Sequence, residues 1–345
     1  MTRTVDEPEL LAPGEAVDLD NCAREPIHVP GMIQPRGVLL VVREADGVLL
    51  QASANVERHL GVPAEELAGR PLADVLGEEP ARDLLAHAAN GSDLATRNPV
   101  TLHLDRWDDR PLDVDAVLHR PPLPEEGPGS EPVLVVEIET ASGARPLTFP
   151  NTYLAVRQAL RDLERAATLD ELYDDAARHV RELTGFDRVM IYRFDAAYNG
   201  EVVAEARRDD LNAFLGLHYP ASDIPPQARA LYEKNWIRLI ADVDYAPQPI
   251  VPTLLPTTGA PLDLTYSTLR SVSPIHLEYL RNMGVRASMS ISLLRDGRLW
   301  GLVACHHYSG PHEPPFEVRT AAEFLGSALS GRLVCLAEDE RETEV

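Results

Sequence analysis

Apolar residues along the chain recur with two different periods, and the points where the period changes divide it into two modules. Val38 to Val42 is a strand-like apolar run, Asp46-Gly47 supplies a hairpin turn, and Val48 to Gln51 forms the return strand. Short helices are predicted over Val56 to Leu60 and Ala81 to Ala89. Two strands follow, Thr101 to Leu104 and Asp113 to His119, joined across Asp108-Asp109. A Pro/Gly/Glu-rich loop from Pro121 to Pro132 leads to a last strand, Val133 to Glu139. Strands, short helices and more strands describe a small α+β module over residues 26–140.

Residues 141–150, with Ser142, Gly143, Pro146 and Pro150, read as a linker. The second module, 151–345, opens with a helical pattern from Thr152 to Ala167. Thr168-Leu-Asp-Glu171 is a capping box for a second helix that stops at Gly185. Strands are predicted at Arg188 to Phe194 and Glu201 to Arg207. The Pro-rich segment from Pro247 to Pro261 is too irregular for a core element and longer than ordinary loops, which marks a functional or topologically special connection. Ser273 caps a helix that has Pro274 at its first position and ends at Gly284. A hairpin from Ala287 to His306 turns at Asp296-Gly297, and a helix from Pro315 to Glu338 closes a second, larger α+β domain. Its stripe of Phe324, Leu325, Ala328, Leu329, Leu333 and Leu336 suits packing on its own domain or on a second copy in a dimer bundle.

At 345 residues the chain is long enough for two domains without disulfides or structural metal. Its net charge of −23 disfavours nucleic acid and anionic membrane as partners. Cys22, Cys305 and Cys335 show no metal-ligand spacing, and an odd count suits a reducing compartment. With neither a basic-then-apolar leader nor an eighteen-residue apolar run, the expected location is the cytoplasm. Lys234 is the only lysine among the 32 basic residues, so an arginine taken singly carries little functional information.

Cys22 lies on an acidic, aperiodic arm, residues 1–25, ahead of any predicted element. Such a thiol is either a small apolar filler or a nucleophile that the arm delivers to a pocket. In the strand Ala287 to Leu293, alternation puts Ser288, Ser290 and Ser292 on one face, able to bind carboxylate or phosphate oxygens or simply to face water. On the partner strand Trp300, Leu302, Ala304 and His306 share a face, opposite Gly301, Val303, Cys305 and His307. Cys305, His306 and His307 therefore cannot converge on one metal, and no metal is expected. His276 shares a helix face with Tyr279 and Leu280. Asp223 precedes a proline-initiated helix and reads as its N-cap. Arg238 and Arg270 can each grip a carboxylate or lie on the surface.

Five ordered stretches then combine: Cys22 with Glu25-Pro-Ile-His-Val-Pro-Gly-Met-Ile-Gln-Pro35; Thr184-Gly-Phe-Asp-Arg-Val-Met-Ile-Tyr192; Pro220-Ala-Ser-Asp-Ile-Pro225; Ser273-Pro-Ile-His276 with Tyr279-Leu-Arg-Asn-Met-Gly284; and Leu299-Trp-Gly-Leu-Val-Ala-Cys-His-His307. Together they resemble the chromophore-binding half of a bacterial phytochrome, a PAS domain followed by a GAF domain that carries the bilin biliverdin. The resemblance implies two antiparallel sheets with flanking helices, joined by a figure-of-eight knot in which Ile33 passes through a lasso around residues 247–270. It implies a thioether from Cys22 to ring A of biliverdin IXα. The Asp223 carbonyl and His276 would hold the pyrrole N–H groups, with Ile224 and Pro225 beside them. Arg238, Arg270, Tyr232 and Ser273 match positions that bind one propionate, and Ser288 and Ser290 those that bind the other. Tyr192, Tyr219, Tyr279 and His306 would surround ring D, which light swings by isomerising the bridge between rings C and D.

Ile275 stands where plant and many cyanobacterial relatives place their bilin-binding cysteine, so the resemblance assigns attachment to Cys22 and favours biliverdin. Arg36 departs from the Gln-Pro-His-Gly pattern of the family. The chain ends at Val345 with no room for the family's PHY domain or output kinase, so it reads as a sensory piece, not an enzyme, with incomplete photoconversion. Its parent is expected to be a light-regulated histidine kinase and a homodimer through the GAF helices. A GAF module for another small molecule, such as a cyclic nucleotide, accounts for the domain but leaves Cys22 idle. A cysteine-nucleophile enzyme finds no oxyanion motif or acid–base partner at recognisable spacing.

Overall fold

The computed structural model describes residues 11, 17–18, 21–91, 93–122, 131–139 and 149–343. Most of the arm, most of the loop from Pro121 to Pro132, and the expected linker up to residue 148 lie outside the described residues. Elements before the linker are β1 (Met32–Ile33), β2 (Gly37–Arg43), β3 (Leu49–Ser53), α1 (Val56–Leu60), α2 (Ala73–Leu76), α3 (Glu78–Ala89), β4 (Val100–Trp107), β5 (Arg110–His119) and β6 (Val133–Glu139). Next come α4 (Phe149–Arg165), α5 (Leu169–Thr184), β7 (Arg188–Phe194), β8 (Gly200–Arg207), β9 (His218–Tyr219), α6 (Pro226–Lys234) and β10 (Ile237–Ile240). The Pro-rich segment contributes β11 (Gln248–Val251), and α7 (Pro274–Asn282), β12 (Ala287–Arg295), β13 (Arg298–His307) and α8 (Phe316–Thr343) complete the chain. No helix of the described residues is long and apolar enough to cross a membrane.

Two compact units result. The first draws on His28–Gly143 and Tyr245–Val272. Its antiparallel sheet has the order β1-β11-β3-β2-β6-β5-β4. Alternation in β2 sends Val38, Leu40 and Val42 into a core shared with α1 and α3, while Leu39 and Val41 enter a second core on the opposite face. Both faces being apolar explains why β2 is a continuous hydrophobic run. The second core is completed by Ile250, Leu255, Leu262, Leu264 and Leu269. The Pro-rich segment is therefore less irregular than its composition suggests: β11 is an internal strand, and Ile250 and Leu255 are buried between prolines.

β1 is held on both sides. Met32 and Ile33 pair with Pro249 and Gln248 in one direction, and Ile33 bridges Arg270 in the other. Gln34 N–H donates to Leu269 O at 2.7 Å and Ser271 N–H to Met32 O at 3.0 Å. This two-sided pairing is the local arrangement that passage of Ile33 through a loop requires. The returning side of that loop is fastened by the buried carboxylate of Glu137, which accepts from Thr268 N and Oγ1 at 2.9 Å, from Leu269 N at 3.0 Å and from the Ser267 hydroxyl. Arg36 joins the same network, 2.9 Å from Glu139 and donating to Thr268 O at 3.0 Å. The residue that breaks the family pattern is thus half of a buried ion pair.

The second unit draws on Met1–Ile27, Ala144–Asp244 and Ser273–Val345. Its antiparallel sheet has the order β10-β12-β13-β7-β8-β9. One face carries Val189, Ile191, Ala204, Met289, Ile291, Val303 and Cys305 into a core with α4, α5 and α8. Leu325, Leu329, Leu333 and Leu336 of the α8 stripe belong to this core, while Phe324 is exposed. Thr168 caps α5 as expected, its Oγ1 accepting from Glu171 N at 3.2 Å. The reciprocal bond differs, since Glu171 Oε2 accepts from Ala167 N at 2.8 Å and not from Thr168. Asp296 and Gly297, with φ of 53° and 74°, make the hairpin turn expected between β12 and β13.

One facing differs from strict alternation. Leu293 pairs with Gly301 and Leu294 with Leu299, so Trp300 is the extra residue of a β-bulge. Its indole packs with the helix-side core against Tyr173, away from Leu302. Beyond the bulge, the sharing of a face by Leu302, Ala304 and His306 stands.

Candidate functional site

The sheet face opposite the helices of the second unit is aromatic. Met190, Tyr192 and Phe194 of β7, Val202 of β8, and Leu299 and Leu302 of β13 form its floor, with Tyr219, Ile224 and Tyr232 packed against it. Tyr192 stands edge-on to Phe194 at 5.2 Å and tilted against Tyr219 at 5.8 Å.

The chain rises over this floor at a 3-10 turn, Ala221–Asp223. Asp223 is not the N-cap of α6; Pro225 occupies that position, and Pro226, with no N–H to leave unsatisfied, starts the helix. The Asp223 carboxylate is turned elsewhere, accepting from the Tyr279 hydroxyl at 3.2 Å. Arg229 holds the turn from below by donating to Ile224 O at 2.6 Å and Ala221 O at 3.2 Å.

Ser273 occupies the N-cap position of α7 but makes no side-chain cap bond. Its hydroxyl bonds Glu25 of the arm instead, and burial raises that carboxyl above the ordinary range more than this bond lowers it. Three residues on, His276 lies parallel to Tyr279 at 6.3 Å. Loss of water, reinforced by the positive charge of Arg238, lowers its pKa to about 4. Burial, Arg188 and His276 together take His306 down to about 3. Both imidazoles are neutral at pH 7. His306 Nδ1 is buried with no hydrogen-bond partner among the described residues. Burial and the Asp223 charge push the Tyr192 and Tyr279 phenols up, keeping them protonated hydrogen-bond donors.

Strand register aligns the polar side chains. Arg238, Ser290 and Ala304 lie across β10, β12 and β13 in one row, with Ile240, Ser288 and His306 in the next but one. Ser292 keeps the face of Ser288 and Ser290 but is buried, donating to Tyr232 O at 2.7 Å. Arg270 belongs to the first unit, where its Nη1 donates to Leu264 O and Thr265 O, each at 3.1 Å.

Cys22 opens a 3-10 turn whose carbonyl accepts from Gln227 Nε2 of α6 at 2.6 Å. With Glu25 bonded to Ser273, the arm is fastened to the start of both α6 and α7. Cys305 is a core filler in the helix-side layer, its thiol pushed up by burial, and Cys335 is exposed.

Sequence reasoning missed the support beneath the site. Arg188 and Glu205 form a buried ion pair at 2.8 Å, with the guanidinium 3.5 Å over the Phe214 ring. Glu205 also accepts from Phe214 N at 2.9 Å, fixing the loop before β9. In a chain whose cations are nearly all arginine, no local signal distinguished Arg188. Gln227 and Arg229 were hidden in an unremarkable helix, and their partners are main-chain carbonyls that no sequence pattern specifies.

Comparison with known proteins agrees with this geometry. The PAS fold family matches residues 22–141 and the GAF domain family residues 168–333. Cyanobacterial phytochrome B of Nostoc sp. is 45% identical over 328 residues, covering 95% of this chain and 42% of the relative. The bacteriophytochrome of Xanthomonas campestris pv. campestris is 44% identical over 332 residues, covering 93% and 48%. The chain thus spans less than half the length of these relatives. The solved chromophore-binding domain of Stigmatella aurantiaca bacteriophytochrome is 48% identical with a TM-score of 0.81, covering 91% of this chain and 99% of that one.

Proposed function

Because the chain belongs to the bacterial phytochromes and matches their PAS–GAF photosensory portion, we propose that it binds biliverdin IXα covalently through Cys22 and senses red and far-red light. The observation that carries this reading is the anchorage of the arm, Cys22 on Gln227 and Glu25 on Ser273. It holds the arm, by the main chain of Cys22 and the side chain of Glu25, to the starts of α6 and α7, the helices near Asp223 and His276. When bound, the bilin supplies visible absorption and light-driven isomerisation of the bridge between rings C and D.

The chain's own groups suit that ligand. Addition of Cys22 S–H across the ring A vinyl bond forms one S–C bond and places the proton on the neighbouring carbon, with no change of oxidation state. A neutral His276 holds pyrrole N–H groups without repelling a protonated tetrapyrrole, and the Asp223 main-chain carbonyl, with Ile224 and Pro225 beside it, does the same from the turn. Arg238, Tyr232 and Ser273 clamp one propionate, and Ser288 and Ser290 the other. Tyr192, Tyr219 and Tyr279 wall ring D, and His306, whose Nδ1 has no partner among the described residues, donates an imidazole N–H to its carbonyl. The proposed divisions are an arm over 1–25, a PAS domain over 26–140, a linker over 141–150 and a GAF domain over 151–345. In a longer parent, PHY and histidine-kinase output domains would follow, with a cytoplasmic homodimer formed through the GAF helices, where Phe324 is exposed.

The test is to mix purified protein with biliverdin, denature it and look for colour on the polypeptide. Parent protein is expected to retain colour and Cys22→Ser to lose it. Gln227 grips the main-chain carbonyl of residue 22, so this substitution leaves the arm docked and the comparison clean. A colourless parent, or a denaturation-stable adduct on Cys22→Ser, ends the proposal.

A further inference from the structure

Gly200 opens β8 and lies in register between Phe194 on β7 and Tyr219 on β9. The ring of Tyr192 rests on it. A Cβ at this position would stand 1.8 Å from Tyr192 Cζ, 1.9 Å from its Oη and 2.0 Å from Cε1, where real Cβ contacts essentially never fall under 3.0 Å. The backbone of Gly200 is outside the left-handed region, so its conformation does not require glycine. The ring above it does. Gly301 is different, since a Cβ there would meet the Tyr192 main-chain oxygen at 2.4 Å, a demand of strand pairing and not of the side chain.

We infer that Gly200 is a positioning residue: its missing side chain is the seat that sets the Tyr192 ring, and through it the wall around the terminal pyrrole of the bound bilin. The contacts with Phe194 and Tyr219 fix the ring from the sides, and Gly200 fixes it from beneath. Any larger residue drives the phenol off its seat, toward the space assigned to ring D. The optical part of this inference rests on the bilin reading above, whereas the contact itself does not.

A cycle of four proteins tests it: parent, Gly200→Ala, Tyr192→Ala and the double variant. Without bilin, Gly200→Ala is expected to lower the melting midpoint by about 4 °C or more when Tyr192 is present, and not in the Tyr192→Ala background. With biliverdin added, Gly200→Ala should still form its adduct, with the red absorption band and emission yield displaced toward those of Tyr192→Ala. Equal melting losses in both backgrounds, or a parent-like spectrum for Gly200→Ala, overturn the inference. Should Gly200→Ala fail to fold, the double variant is expected to fold, and its failure overturns the inference as well. A parent that takes up no colour overturns the bilin reading and the optical role with it, while the melting cycle still reports the seat.

Discussion

The two sheets share an antiparallel plan and a hydrophobic layer on each face, yet one buried polar residue of each is treated in the opposite way to the other. In the first unit Glu137 is enclosed and receives four hydrogen bonds from Ser267, Thr268 and Leu269. In the second, His306 is nearly as enclosed, and its Nδ1 receives none from the described residues. A saturated buried group is a fastening, because its partners have nowhere else to go. An unsaturated one leaves bonding capacity for something other than the fold. The difference separates a residue that secures a loop from one that keeps bonding capacity to spare.

The strongest way to break this comparison is Glu137→Ala, which strands the donors of Ser267, Thr268 and Leu269. A loss of about 3–5 kcal/mol in urea unfolding of the bilin-free protein is expected. A loss as small as that of a surface substitution would erase the distinction. Next in size is Arg188→Met, which leaves Glu205 buried without its main counter-charge; about 3 kcal/mol should be lost in the same assay.

Acid titration sharpens the contrast further. The pKa of His276 is about 4 in the fold against 6.5 for an ordinary histidine, so the unfolded chain takes up the proton first. Its contribution to stability is present above pH 6.5 and is lost as pH falls toward 4, amounting to about 3 kcal/mol. His276→Gln should flatten that part of the stability–pH curve, and an unchanged slope would show that the imidazole is not held neutral. The smallest effect belongs to His306→Phe. Replacing an unsatisfied imidazole with a ring of similar size should alter bilin-free stability by less than about 1 kcal/mol, while changing the spectrum of the adduct. Destabilisation on the scale of Glu137→Ala would place His306 among the fastenings.

Much of the fold is legible in local pattern. Val133–Glu139 is a strand with the bounds its apolar run predicts, and Asp46-Gly47 and Asp296-Gly297 turn where left-handed backbone is needed. Legibility fails where a partner distant in sequence decides. One bulged residue reverses the facing of Trp300, because alternation carries no memory across an insertion in the ladder. Local pattern makes Asp223 and Ser273 helix caps, yet Pro225 takes the cap position before α6, leaving the Asp223 carboxylate to Tyr279, and the Ser273 hydroxyl goes to Glu25. Gly200 gave no sign of its part, since the ring above it comes from the neighbouring strand. Of the candidate site, Tyr192, Tyr219, Ile224 and Tyr232 gather in one cluster, a grouping that no local pattern specifies. The Arg188–Glu205 pair beneath them was invisible, because buried charge is specified by a fold and not by spacing.

The helix that grips the arm ends in an exposed Lys234, the chain's sole lysine. Apart from the α-amino group, an amine-reactive dye therefore has a single point of attachment. A donor fluorophore there would ride on the same helix as Gln227, and its quenching by energy transfer would report pigment uptake in real time, without a mutation anywhere in the chain.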